Sequence, residues 1–269
     1  MVAVGPPHVQ NPYGLFSVVN FLQPGDAQPY WESGGVTWEA FTALLDALGE
    51  AGSSTGLPKN TENDDRWFEK ETASPFTVYG FFKGTPIGRG NLSALQARAL
   101  DMLLAGEQAR VEHELWAGTS GGTPNLATDT TDLGSVAGDL VEAVALCEEF
   151  LANTYGNLGV IHMSRANLVR ASASGALKPQ GSLMITPAGT PIVAGTGYTS
   201  DLVKCSPAIM GMRSEVFYSQ NRADAGDGMD VRNNDYYALA ERTYLLGFDP
   251  TGVGTVTTGV AAPAVGSPF

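Results

Sequence analysis

Charge is scarce in this sequence, and positive charge is scarcer. Against 28 Asp and Glu stand 15 Lys and Arg, a formal net charge of −13, and only 16% of the 269 residues are charged. A chain that grips a phosphate backbone needs a concentrated basic face. The densest positive site here is Arg165 with Arg170, spaced as on one ordinary helix. Sequence-specific nucleic-acid binding is thereby excluded, and the acidic surface repels phosphate. Cysteine occurs twice, at Cys147 in an apolar helical stripe and Cys205 near an expected strand. With no pairing pattern, both read as buried free thiols rather than a disulfide framework. No apolar run approaches the length of a membrane span, and the N-terminus lacks the basic start and apolar core of a signal peptide. The expectation is an intracellular, acidic, loop-rich protein with no membrane partner.

Catalytic and cofactor signatures are missing as well. There is no G-K-[ST] phosphate loop, no G-x-G-x-x-G between strand and helix, no H-E-x-x-H and no C-x-x-C. Gly118-Thr119-Ser120-Gly121-Gly122 fits G-x-S-x-G on paper. A nucleophile elbow needs a strand before and a helix after, whereas here a helix precedes and a Thr-Pro loop follows. The histidines His8, His113 and His162 fall on an arm, a helix and a short strand, and no Ser or Cys has a motif around it. Asp224, Asp227 and Asp230 with Gly226 and Gly228 lack the EF-hand spacing and the closing glutamate, which makes them an acidic turn. No catalytic residue, cofactor or metal ligand is assigned. A hydrolase reading would require a site built from residues distant in sequence.

What the chain does have is one long helix, and the other parts are arranged around it. From Asn91 to Gly118 no proline intervenes, Ser93-Ala94-Leu95-Gln96 fits a capping box, and Gly118 sits where a C-terminal stop belongs. Such a helix runs roughly 38 Å at 1.5 Å per residue. Leu92, Leu95, Ala99, Leu100, Leu103, Leu104, Val111 and Leu115 spread over a broad apolar arc, and Arg98, Asp101, Gln108 and Glu112 gather on the opposite strip. Before the helix, residues 1–31 carry five prolines among Leu15, Phe16, Val18, Val19, Phe21 and Leu22. Prolines at that density forbid a regular helix, yet the segment is too apolar for a solvated tail. It reads as an extended arm lying against its own fold or a neighbour. Thr37 would cap a short helix with Trp38, Phe41, Leu44, Leu45 and Leu48 on one face. Trp67–Glu71 and Phe76–Lys83 read as a two-stranded hairpin turning at Ala73-Ser74-Pro75. Its second strand is apolar on both faces, and a lone hairpin is marginal in water, so it must pack on something else.

After the helix the pattern predicts a second helix over Asp132–Thr154, a strand over Gly159–Met163 and a small helix over Arg165–Ala173 capped by Ser164 and stopped by Gly175. A hairpin at Leu183–Thr186 and Pro191–Ala194 follows, then strands at Ala208–Met212 and Glu215–Ser219. The longest strand is Asp235–Phe248, alternating strictly and ended by Pro250. The tail to Phe269 reads as strand-like or draped. No repeat and no βαβ alternation is present, so the class is α+β.

The order of these parts resembles the tailed-bacteriophage major capsid protein family of the Hong Kong 97 type, a fold shared with encapsulin shells. The likeness runs from about Trp31 to Pro250. It rests on Leu92–Gly118 (the family's spine helix), Gly159-Val160-Ile161-His162-Met163-Ser164, Thr186-Pro187-Ala188-Gly189-Thr190-Pro191-Ile192-Val193, and the strand Glu241–Pro250. The resemblance implies an N-terminal arm (1–35) and an extended loop (36–90). It also implies a peripheral domain with the spine helix (91–130 and 214–250), an axial domain (131–213) and a C-terminal tail (251–269). It implies a structural subunit that assembles with itself as pentamers and hexamers into an icosahedral head enclosing DNA, located in the virion. Separate scaffolding, portal and decoration proteins would be partners; an encapsulin-like compartment is the rival shell. The subunit-contact residues it points to are Leu15, Phe16, Phe21, Trp67, Phe76, Phe81, Phe82, Lys83, Leu100, Leu104 and Val111. Gly106, mid-helix, is the expected maturation hinge. Some members cross-link through a hairpin lysine; Lys83 and Lys70 lie in that region, with no acceptor asparagine assigned.

Overall fold

The computed structural model describes residues 9–22, 30–39, 70–84, 92–128, 130–218, 229–230 and 235–260. Trp67, the face Phe41, Leu44, Leu45 and Leu48, and Asp224 and Asp227 lie outside them. The long helix, α2, is present as Leu92–Ala117. Gly118 ends it at φ +62°, where a side chain would be strained, and its N–H closes the last turn on the Glu114 carbonyl at 2.7 Å.

The helix lies on a six-stranded sheet built around β14 (Asp235–Gly247). Along β14 runs β4 (Phe76–Gly84), antiparallel from Tyr236 opposite Gly84 to Tyr244 opposite Phe76. The expected hairpin is therefore wrong in its partner. The strand before it, β3 (Lys70–Ala73), pairs instead with β2 (Val36–Glu39). The Pro75 corner sends the two runs into different sheets. Thr37 and Trp38 are in that β2 strand rather than at a helix start; two β-branched residues before an aromatic favour the pleat over the cap. Short strands β11 (Met210–Arg213), β12 (Phe217–Tyr218) and β13 (Met229–Asp230) also pair with β14, and β1 (Asn20–Leu22) adds in parallel to β11.

Helix and sheet meet with almost no side chain between them at Gly80. A Cβ there would come within 2.2 Å of the Ala99 carbonyl oxygen and 2.5 Å of the Leu103 nitrogen. Ala99, Ala238 and Ala240 are buried at the same seam. Around it close Val78, Leu103, Val111, Leu115 and Tyr244, and into this core goes the arm: Leu15 is fully buried, Val19 nearly so, and Phe16 and Phe21 pack half-buried against it. The described part of the arm, residues 9–22, thus lies against its own fold. The one-turn helix α1 (Trp31–Gly34) buries Trp31 in a small satellite core with Val36, Ala73, Met212 and Leu245.

The second half is a seven-stranded sheet in the order β5-β15-β10-β6-β9-β8-β7. Its strands are β5 (Thr131–Ser135), β6 (Val160–Ser164), β7 (Lys178–Gln180), β8 (Leu183–Ile185), β9 (Pro191–Gly195), β10 (Leu202–Ser206) and β15 (Gly254–Thr257). Helix α3 (Leu140–Thr154) packs its Leu140, Val144, Cys147 and Leu151 stripe on Ile161, Ile192, Val203 and Val256. The helix expected from Asp132 is shorter, because Thr131–Ser135 is strand and Asp139 is the N-cap, its carboxylate accepting from the N–H groups of Val141 and Glu142. Ser164 caps α4 (Arg165–Ala173) through the Asn167 N–H, as the sequence indicates. Within the expected tail, Gly254–Thr257 is a strand paired between β5 and β10.

Candidate assembly surface

Three of the expected contact residues face the chain's own interior. Leu15, Phe76 and Val111 are buried, Leu15 and Val111 completely, and a side chain with no exposed surface has none to offer a neighbour. Phe16, Phe21, Phe82 and Leu100 are half-buried against the same core. Phe81 and Leu104 are more than 40% exposed, and Lys83 is exposed. Met102, two residues before Leu104 and on another side of α2, is exposed as well.

Phe81 belongs to a wider feature. One face of the β4–β14 pair is covered by α2; alternation puts Thr77, Tyr79, Phe81 and Lys83 on the other. Opposite them stand Tyr237, Leu239 and Glu241, and Phe217 of β12 pairs opposite Glu241. Phe81 stacks on Tyr237 with ring centres 5.7 Å apart, and the Lys83 ammonium lies 5.4 Å from the Tyr237 ring centre. Tyr79, Phe81 and Phe217 stay in water, an aromatic patch of the kind that marks a contact surface.

The side chains that fix this surface are ones the periodicity misplaced. Gln108 and Glu112, on the expected polar strip, are buried, and so are Glu107 and Glu114. Glu107 accepts from Arg242 and from the Tyr244 hydroxyl, both at 2.8 Å, tying α2 to β14. Burial pushes the Tyr244 hydroxyl well above the usual phenol range, with the Glu107 charge adding to it. Glu112 accepts from the Leu15 N–H at 2.9 Å, from Gln108 at 2.9 Å and from the Thr196 N–H at 2.5 Å. Burial raises its carboxyl above the ordinary range, and those donors pull the other way. Gln108 also brackets Asn11, accepting from its N–H and donating to its C=O. Glu114 receives the N–H groups of Ser120 and Gly122 and the Thr119 hydroxyl. The G-x-S-x-G look-alike is therefore a loop wrapped on a carboxylate. An acid in the last helical turn opposes the macrodipole, and that misplacement is the one sign of its task in the sequence.

At the join with the seven-stranded sheet, Trp116 stacks on Tyr198 at 4.4 Å, and Lys204 lies 4.3 Å from the Trp116 ring centre while donating to the Leu126 carbonyl at 2.6 Å. Burial lowers the Lys204 ammonium to about 8 and, with Lys204 nearby, the His162 ring to about 3. His162 is thus a neutral core residue within 3.0 Å of the Ser206 hydroxyl.

No protein-family model and no curated protein matches the chain. Solved structures do. A chain from Mycobacterium phage Adephagia is 15% identical, covering 97% of this chain and 96% of its own, with a TM-score of 0.54. One from Microbacterium phage Oxtober96 is 10% identical over 96% and 94%, with a TM-score of 0.55. A chain from the capsid of an empty GTA particle, computed with C5 symmetry, is 12% identical over 97% and 94%, with a TM-score of 0.52. The fold is the Hong Kong 97-type capsid fold. In this capsid fold the likeness resides in shape, since at these identities few side chains are shared.

Proposed function

We propose that the chain is the shell-forming subunit of a phage or GTA-type head that encloses DNA. The observation that carries this reading is reciprocal coverage. The capsid fold accounts for nearly all of this chain and nearly all of the chains it resembles, including one from a GTA capsid. The acidic composition fits a container that holds DNA without gripping it. The α2 and six-stranded-sheet half serves as the peripheral domain and the seven-stranded sheet as the axial domain.

Contacts between copies fall on the outer face of β4–β14 (Tyr79, Phe81, Lys83, Phe217) and on α2 at the exposed Met102 and Leu104 and the half-buried Leu100. Individually weak contacts suffice, because a closed symmetric shell engages many at once. Gly106 is the hinge of this reading: a Cβ there would meet only the Arg110 side chain at 3.9 Å, so packing does not require glycine. Electron microscopy of the purified protein tests the whole. Closed particles are expected; rings or dispersed monomers under every assembly condition would overturn it.

A further inference from the structure

Each of the two large sheets ends in an open strand, and the two edges carry opposite charge. Among the described residues β4, nine residues long, pairs only with β14, and β5, five residues long, pairs only with β15. Each therefore turns a row of backbone N–H and C=O groups away from its own sheet, a row that another extended strand completes. Along β4, Tyr79 and Phe81 are exposed, no proline interrupts Phe76–Gly84, and the one charge is Lys83 near the end. Beside it the flank of α2 is basic. Arg98 lies 5.1 Å from the Phe82 ring centre, and the exposed Arg110 lines a cleft of about 330 Å³ with Ala109, His113 and the start of β4. Asp101 is half a turn out of phase with Arg110 on the helix and faces the other way. Around β5 the sign is reversed. Asp132 in the strand and Asp139 and Glu142 at the start of α3 are exposed, and no Lys or Arg occurs from Val111 to Ser164.

We propose that β5 of one copy adds as a strand to the open edge of β4 in the next, its acidic flank lying on Lys83, Arg98 and Arg110. The two edges are different surfaces of one chain, so the contact is heterologous. Each copy gives β5 to one neighbour and receives β5 from another, and such a head-to-tail series closes into a ring when the rotation allows. Backbone hydrogen bonds supply the attachment. The charges select the edge, since β4 against β4 or β5 against β5 would set like charges side by side. The proposal rests on the reading that copies of this chain assemble, and adds which edges meet.

The test is charge exchange in the full chain, read by analytical ultracentrifugation and by amide hydrogen exchange. Arg110→Asp and Asp132→Arg should each weaken association roughly tenfold, and the double variant carrying both should return to within about threefold of wild type. Glu142→Arg is a second reversal on the acidic flank that leaves the Asp132 bond to the Gly134 N–H intact. In assembled wild type the amides of Thr77–Lys83 and of Thr131–Ser135 should both exchange more slowly than in the dispersed single variants. Single variants that associate like wild type, or a double variant as weak as the singles, would overturn the proposal. So would protection gained by β4 alone, which would mean that another segment covers it. The shell reading fails separately. Closed particles that ignore the reversals sink the edge pairing and keep the shell, whereas rings that obey the exchange and never close keep the pairing and sink the shell. A wild-type chain that stays monomeric removes both.

Discussion

The two halves of the molecule are held together by different means. The seven-stranded half is an apolar sandwich: α3 lays a continuous stripe on Ile161, Ile192, Val203 and Val256, and its helices are started by Asp139 and Ser164. The half built on α2 is pinned. Gly80 lets the helix backbone rest on the sheet, and four buried polar side chains, Glu107, Gln108, Glu112 and Glu114, each bind a specific element. An apolar stripe tolerates small slides, whereas directional bonds and backbone-to-backbone contact fix one register. The lesson is that the longest helix in the chain is positioned by the residues that look least suited to a core.

The sharpest way to break that contrast is Gly80→Val. The branched side chain has only the Ala99 carbonyl and the Leu103 nitrogen to move into, so about 3 kcal/mol or more should be lost in urea unfolding. A large-to-small change on the sandwich side, Val203→Ala, should cost about 2–3 kcal/mol. Glu107→Ala should cost about 3 kcal/mol by leaving Arg242 and Tyr244 without their acceptor, and Glu107→Leu combined with Arg242→Met should recover most of it. Asp139→Ala, removing a cap on the other half, should cost only about 1 kcal/mol.

Between the halves, Lys204 sets a pH dependence. Its folded value, about 8, lies below its ordinary 10.5, so from pH 8 to 10.5 the unfolded chain binds more protons and stability should rise with pH. Lys204→Met should flatten that rise in a pH series of unfolding midpoints. The smallest effect belongs to Gly106→Ala, which should stabilise the helix by up to about 1 kcal/mol in the isolated subunit. Mutant particles that expand normally would remove Gly106 as a hinge.

In the sandwich half the local signals are legible, and Ser164, Gly175 and the Pro187–Pro191 turn lie where their chemistry puts them, whereas the strand Thr131–Ser135 and the central strand Leu202–Ser206 carry no such signal. Helix α2 is equally legible in extent. Its orientation is not, since periodicity reports which side chains share a face and says nothing about whether a donor waits opposite. Glu112 looks like a solvated residue until Leu15 and Thr196, far away in the chain, bring their N–H groups to it. The β3–β4 pairing fails for the same reason. Proximity along the chain favours a hairpin, and the long-range partner β14 has no local signature. The exposed aromatic face is half visible, as apolar residues on both sides of Phe76–Lys83.

Gly80 has a mechanical consequence. At that one point no layer of side chains separates the helix from the sheet, so α2 and β4 cannot slide past each other there without the backbones moving apart. Further along the helix, Trp116, Lys204 and Glu112 make the join with the seven-stranded half through separate directional contacts, which can break one at a time.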